Sequence, residues 1–266
     1  IEKKIMATNK KPILNELFET RNSHTEEAEE IKKEDFIKTV KSRRSVRNYS
    51  DEPVLEKDMK ACLELALLAP NSSNLQPWEF YWVRSQKKKN KLISYCLGQP
   101  AASTAQELVV AVARPDYWKV NQKRMLELIG EMGEKAPKSV KKYYGRIVPL
   151  AYNQGWFSLR GYLKKIAMEI RGVKTPTPRE PYNKKGMSVW AHKSTALACE
   201  NLMLSLRAYG YDSCPMEGID SKRIKKLLNL KSPAEISMVV SAGKRAKNGV
   251  YGKQVRFNSS YFIHEV

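Results

Sequence analysis

Arg43, Ser45 and Arg47 stand at alternate positions in the run Arg43-Arg44-Ser45-Val46-Arg47-Asn48-Tyr49. In an extended segment successive side chains point to opposite faces, so these three share one side. Guanidinium forks match phosphate oxygens in charge and shape, and a hydroxyl adds one more hydrogen bond. That face is suited to gripping a terminal phosphate. Taken alone, the run also fits a basic surface turn or a nucleic-acid contact, the commoner fate of so short a basic stretch.

A second stretch, Ala69-Pro70-Asn71-Ser72-Ser73-Asn74-Leu75-Gln76-Pro77-Trp78, joins two prolines to a set of small polar residues. It reads as an irregular loop. Its neutral donors and acceptors suit sugar hydroxyls and heterocycle edges, although a plain connection has the same composition. The three histidines, His24, His192 and His264, are dispersed, and His192 reads as structural. Cys62, Cys96, Cys199 and Cys214 form no CxxC pair, which argues against a zinc site or a redox dithiol and for reduced thiols in the cytoplasm.

The elements that must position these residues follow from periodicity. Phe36, Ile37 and Val40 predict a short helix over 34–41, which feeds the arginine run. Leu55, Met59, Cys62, Leu63, Ala66 and Leu67 predict a helix over 55–68 with a wide buried face. Residues 79–83 read as a strand, 87–97 as a helix and the apolar run 107–113 as a buried central strand. Helical patterns follow at Met125, Leu126, Leu128, Ile129 and Met132, then at Leu159, Tyr162, Leu163, Ile166 and Ile170, and Thr175–Pro181 breaks them. A long buried helix is predicted over 188–209, ended by Gly210. A short strand 211–214 leads to a tight turn Pro215-Met216-Glu217-Gly218, a helix 220–229 capped by Asp220 or Ser221, and a last core strand 235–242. Residues 1–34 are polar, with one apolar patch at Ile13, Leu14, Leu17 and Phe18. The alternation gives an α+β or α/β layered fold.

The chain has 266 residues, of which 42% are hydrophobic, enough for a sizeable core. No apolar run is long enough to span a bilayer, and the N-terminal residues lack a secretory signal stretch. Lysine and arginine exceed acidic residues by 20. One reading of that excess is nucleic acid or an anionic membrane, another is an enzyme with anionic ligands, and charge alone does not choose between them. The lysines are scattered and carry no nucleic-acid-binding signature, which argues against nucleic acid.

Four stretches, taken in order, resemble the FMN-dependent nitroreductase family. They are Arg43–Arg47, Pro70–Trp78, the block Leu202-Met203-Leu204…Gly210-Tyr211…Ser213–Gly218, and Gly249–Phe257. The likeness covers roughly residues 35–113 and 188–258. It implies an α+β sandwich around a mostly antiparallel central sheet, and an intertwined homodimer with FMN at the interface. Residues 1–34 would be an N-terminal extension, 35–258 the FMN-binding domain with 114–187 as a variable helical lid, and 259–266 a C-terminal tail.

By the same resemblance, Arg43, Ser45 and Arg47 hold the flavin phosphate, ribityl chain and N1/O2 edge, and Arg44 helps through its backbone. Asn71, Ser72, Ser73 and Asn74 reach the FMN of the other subunit, and Gln76 lies in the same loop. The turn Pro215, Met216, Glu217 and Gly218 sets a backbone N–H against flavin N5. Arg256 lies on the phosphate, with Lys244 and Arg245 as further cofactor-binding candidates. No metal and no catalytic acid or base is implied, because the flavin carries the chemistry and Arg47 stabilises its reduced edge. The implied reaction is ping-pong: NAD(P)H gives hydride to N5, then a nitroaromatic, quinone or other electron-poor acceptor is reduced. Neither nucleic acid nor a membrane is an expected partner. The alternatives are a deiodinase-like or flavin-consuming relative, or a non-enzymatic basic binding protein on the same scaffold.

Overall fold

In the computed structural model, which describes residues 27–133 and 136–266, the apolar run at 107–113 lies inside a sheet. Trp78–Trp82 (β1), Glu107–Ala113 (β2), Asp212–Met216 (β3) and Glu235–Gly243 (β4) pair in the order β1-β2-β4-β3. Every pair is antiparallel. Leu108, Val110 and Val112 of β2 pack with Leu92, Cys96 and Ile224 on one face. Val109 and Ala111 pack with Met59, Cys62, Leu202 and Leu206 on the other. A strand covered on both faces cannot alternate polar with apolar, which explains its unbroken hydrophobic run.

The chain divides into two units. One joins Lys32–Asp116 to Ser188–Val266 and holds the whole sheet. Helices Glu56–Ala66 and Lys184–Ala208 supply Met59, Cys62, Leu202 and Leu206 to one layer. Helices Gln86–Tyr95 and Ser221–Leu227 supply Leu92 and Ile224 to the other. Asp220 caps the latter helix by accepting from Arg223 N at 3.0 Å. Gly210, at φ +83°, closes the long helix, and Tyr211 N donates back to Leu206 O at 2.8 Å.

Three expectations need correction in this unit. Helix Glu56–Ala66 buries only Met59, Cys62 and Ala66, while Leu55 and Leu67 are exposed. The long helix is not buried all round, because Val189, Ala196 and Leu197 are exposed. Pro215 and Met216 continue β3 rather than opening the turn. Edge position makes Pro215 tolerable there, since proline has no N–H to give a ladder.

The second unit contains Tyr117–Met187 and is helical, with helices Tyr117–Glu131, Lys138–Lys142, Val148–Tyr152 and Leu159–Gly172. Ile129, Tyr144, Val148 and Tyr152 are buried. Leu128, Met132, Leu159, Tyr162, Leu163, Ile166 and Ile170 are exposed instead of forming core. Gly161 is the buried residue of its helix, and a Cβ there would run into Tyr182 O and Gln154 Oε1. The apolar patch at 13–18 lies outside the described residues.

Gly161→Ala should therefore destabilise the Tyr117–Met187 unit by about 1–3 kcal/mol. Hydrogen exchange would show protection lost within 117–187 and retained in β2 and β4. Unchanged protection in the helical unit would contradict the close approach.

Candidate functional site

The arginine run owes its geometry to strand pairing. The chain leaves helix Lys33–Ser42 in extended conformation at Arg43. Ser45 forms a parallel bridge to Ser213, and Val46 N donates to Ser213 O at 3.1 Å. Arg47 N donates to Gly249 O at 2.7 Å. Val46 is fully buried, and the Tyr49 hydroxyl lies 2.9 Å from Ser241 Oγ. Arg43, Ser45 and Arg47 consequently share a neighbour on β3, the buried Cys214 thiol. Burial pushes that thiol up, while the fields of Arg47 and Arg43 and a hydrogen bond with Ser45 pull it down. Two guanidinium groups and a hydroxyl on one side of an extended run beside β3 are a donor set chemically matched to a phosphate or another anion. Cys214 carries no local sequence signal for this position; only the pairing brings it there. Arg43 Nε also lies 3.9 Å from Glu200.

Arg44, Lys244 and Arg245 go elsewhere. They line an open polar cleft of about 580 Å³ with Lys41, Arg207 and Asp212. Arg44 Nη2 donates to Gly252 O at 2.6 Å. The Asp212 carboxylate, 5% exposed, accepts from Arg245 Nη2 at 2.6 Å and from Arg207 Nη1 at 2.9 Å. Lys244 sits 4.7 Å over the Tyr211 ring and 3.8 Å from Glu52. Arg245 thus neutralises a buried acid, a role that sequence alone did not reveal. Arg256 stands on an exposed segment, where its Nη1 donates to Val255 O at 2.7 Å.

The loop after helix Glu56–Ala66 is strained. Ser73, Asn74 and Gln76 have φ of 58°, 47° and 43°, in the left-handed region that favours glycine. Its shape is held by Asn71 Oδ1, which accepts from Gln76 N at 2.7 Å, and by Leu75, which is fully buried. Asn74 N donates to Asn71 O at 3.2 Å. Such a conformation costs roughly 1–3 kcal/mol for Ser73 and Gln76 and less for Asn74, and residues held this way cluster at active sites, ligand clamps and switch regions. Ser72 and Asn74 are exposed.

Beyond β3, Glu217 and Gly218 are exposed, and Gln99 Nε2 donates to Gly218 O at 2.8 Å. His192 places Nδ1 3.1 Å from Ser237 Oγ and Nε2 3.0 Å from Glu235. It ties the long helix to β4. Among the described residues no three His, Cys, Asp or Glu side chains could hold a metal ion.

A family model described as Nitroreductase family matches residues 40–244. YdgI of Bacillus subtilis, provisionally named an NAD(P)H nitroreductase, is 29% identical over 227 residues, covering 82% of this chain and 92% of its own. A Thermus thermophilus protein named NADH dehydrogenase is 27% identical over 209 residues, covering 78% and 85%. A structure from Exiguobacterium sibiricum, solved in complex with FMN, superposes with a TM-score of 0.63 at 23% identity, covering 91% and 100%. That superposition bears out the α+β fold and its antiparallel sheet.

The thiols give a direct check on the packing. All four cysteines are free and buried, and burial pushes Cys62, Cys96 and Cys199 up to about 12. At pH 8 a thiol reagent should leave them unlabelled within minutes in the native protein and label all four in guanidinium. Because the folded thiols titrate above their ordinary value of 9.0, their contribution to stability is complete below pH 9 and is lost as pH rises toward 12. Rapid native labelling, or a stability that is flat across that range, would contradict the buried placement.

Proposed function

The chain belongs to the nitroreductase family, and from that membership we propose an FMN-dependent NAD(P)H oxidoreductase that reduces nitroaromatics, quinones or similar electron-poor acceptors. The observation that carries the proposal is the extended run that bridges β3 at Ser213, in which Arg43, Ser45 and Arg47 alternate onto one side. The named activities of the relatives and the FMN bound by the Exiguobacterium protein support it.

FMN, when bound, supplies ping-pong hydride transfer, accepting from NAD(P)H and delivering to the second substrate. Arg43 and Ser45 bind the phosphate end and ribityl chain. Arg47 would stabilise the ring edge on which negative charge develops on reduction, with no proton transfer of its own. The backbone around Pro215, Met216, Glu217 and Gly218 would face the flavin ring. Arg256 adds charge at the phosphate. No side chain is needed as a general acid or base.

The loop Asn71, Ser72, Ser73, Asn74 and Gln76 serves the flavin of a second subunit, so the working form is a homodimer. Helix Lys33–Ser42 supports this, since it buries no residue and leaves Phe36, Ile37 and Val40 exposed. Val189 and Leu197 on the long helix, with Val255 and Phe257 on the C-terminal segment, are further apolar groups open to a partner. The FMN-binding domain is placed at 35–258, with 114–187 as its variable helical part. Reduced, buried thiols fit a cytoplasmic protein.

Replacing Arg43 and Arg47 together by Ala should release FMN while the chain stays folded. Arg43→Ala alone should weaken FMN binding roughly 10- to 100-fold, the worth of one charge-assisted hydrogen bond of about 1.5–3 kcal/mol. Flavin fluorescence titration reads both, and a double variant with wild-type occupancy overturns the assignment. In sedimentation the FMN-loaded species should run as a dimer at every dilution that keeps its flavin. A stable flavin-loaded monomer would count against the shared loop.

A further inference from the structure

Helix Leu159–Gly172 is packed inside out. At about 100° per residue, Leu159, Tyr162, Leu163, Ile166 and Ile170 fall within an arc of roughly 100°, and Val173 continues the stripe. In a helix packed on its own core that stripe would face inward. Here the opposite side makes the contacts. Gly161 abuts Tyr182 O, and Gly172 lies against the Arg179 guanidinium. Lys164 Nζ donates to Ala151 O and Pro181 O, both at 2.6 Å, and Lys165 Nζ sits 4.5 Å over the Tyr182 ring. The stripe is left open: Ile170 is 70% exposed and Val173 83%. Immediately before the helix, Trp156 is 85% exposed, and its ring stands 4.7 Å from that of the exposed Phe157.

The flanking charge selects the occupant. Residues 156–174 hold five cations, Arg160, Lys164, Lys165, Arg171 and Lys174, and one acid, Glu169. Glu169 is already paired with Arg179 at 3.0 Å. Arg160, Arg171 and Lys174 are exposed beside the stripe. A second copy of this helix would bring the same cations with no free acid to meet them, on a chain whose formal charge is +20. An anionic phospholipid surface offers both an apolar layer for the stripe and phosphates for the guanidinium groups. Trp and Phe at one end suit the headgroup boundary.

We propose that residues 156–174 form an interfacial anchor, with the helix lying in the headgroup layer of an anionic leaflet. No described helix is long and apolar enough to cross a membrane, and none is needed, because lying on a leaflet requires only one apolar face. This anchor departs from the sequence-based expectation of no membrane partner, because the orientation of this helix is not legible in the sequence. The anchor is independent of the flavin assignment, which a separate absorbance reading follows.

The test is sedimentation of the full-length, flavin-loaded protein with vesicles of phosphatidylcholine, alone or with about one third phosphatidylglycerol. Binding at least tenfold stronger to the anionic vesicles is expected, and it should weaken with salt. The triple variant Leu163→Ser, Ile166→Ser, Ile170→Ser should lose at least tenfold in binding while keeping its flavin and its far-UV spectrum. Nitroxide-labelled lipid should quench tryptophan emission in the wild type, and Trp156→Phe should remove most of that quenching. Failure to bind anionic vesicles overturns the proposal. So does equal binding by the triple variant, which would make overall charge the cause. A triple variant that changes assembly mass but not vesicle binding would assign the stripe to a second copy and overturn it as well.

Discussion

The pairing of Ser45 and Val46 with Ser213 on the outer edge of β3, continued by Arg47 to Gly249 and Tyr49 to Arg245, is the interaction on which the candidate site depends. It fixes which side chains face Cys214. A slip of one residue would exchange Arg43, Ser45 and Arg47 for Arg44 and Val46. Two features oppose that slip. Val46 is fully buried, and exposing it would cost about 1.5–3 kcal/mol. The Tyr49 hydroxyl meets Ser241 in the core, where an unmade hydrogen bond is expensive. The same pairing covers an edge that would otherwise offer unpaired N–H and C=O groups.

Register also sorts the positive charge of the sheet unit. One set, Arg43 and Arg47, acts on the Cys214 thiol, and Arg43 also lies near Glu200. The other set surrounds Asp212, and Arg207 and Arg245 neutralise it there. A buried carboxylate between two guanidinium groups is costly to disturb, so that second cluster holds the long helix and the end of β4 against the start of β3. Part of the excess charge is therefore structural. The loop at 73–76 adds neutral groups and holds Ser73 and Gln76 in a conformation those residues disfavour.

Much of this was legible beforehand because local composition determined it. The run 107–113 had to be an interior strand, and two prolines with four polar residues had to be a loop. The cap at Asp220 and the stop at Gly210 followed from backbone chemistry. What could not be read depended on tertiary register or on which neighbour a face meets. Alternation already set Arg44 apart from Arg43 and Arg47, but the cleft that Arg44, Lys244 and Arg245 line together depends on pairing distant in sequence. Asp212 gave no sign of drawing Arg245 inward. Periodicity correctly gave Leu159–Gly172 an apolar face, but periodicity does not say whether that face turns inward, and Gly161 turned it out.

The assignment of the Arg43–Arg47 face to the flavin is tested most directly by a crystal structure of the FMN-loaded protein. The expected result places the flavin phosphate within hydrogen-bonding distance of Arg43 and Ser45, and Arg47 at the N1–C2=O edge. A phosphate seated instead between Arg44, Lys244 and Arg245, or a flavin bound away from β3, would contradict it.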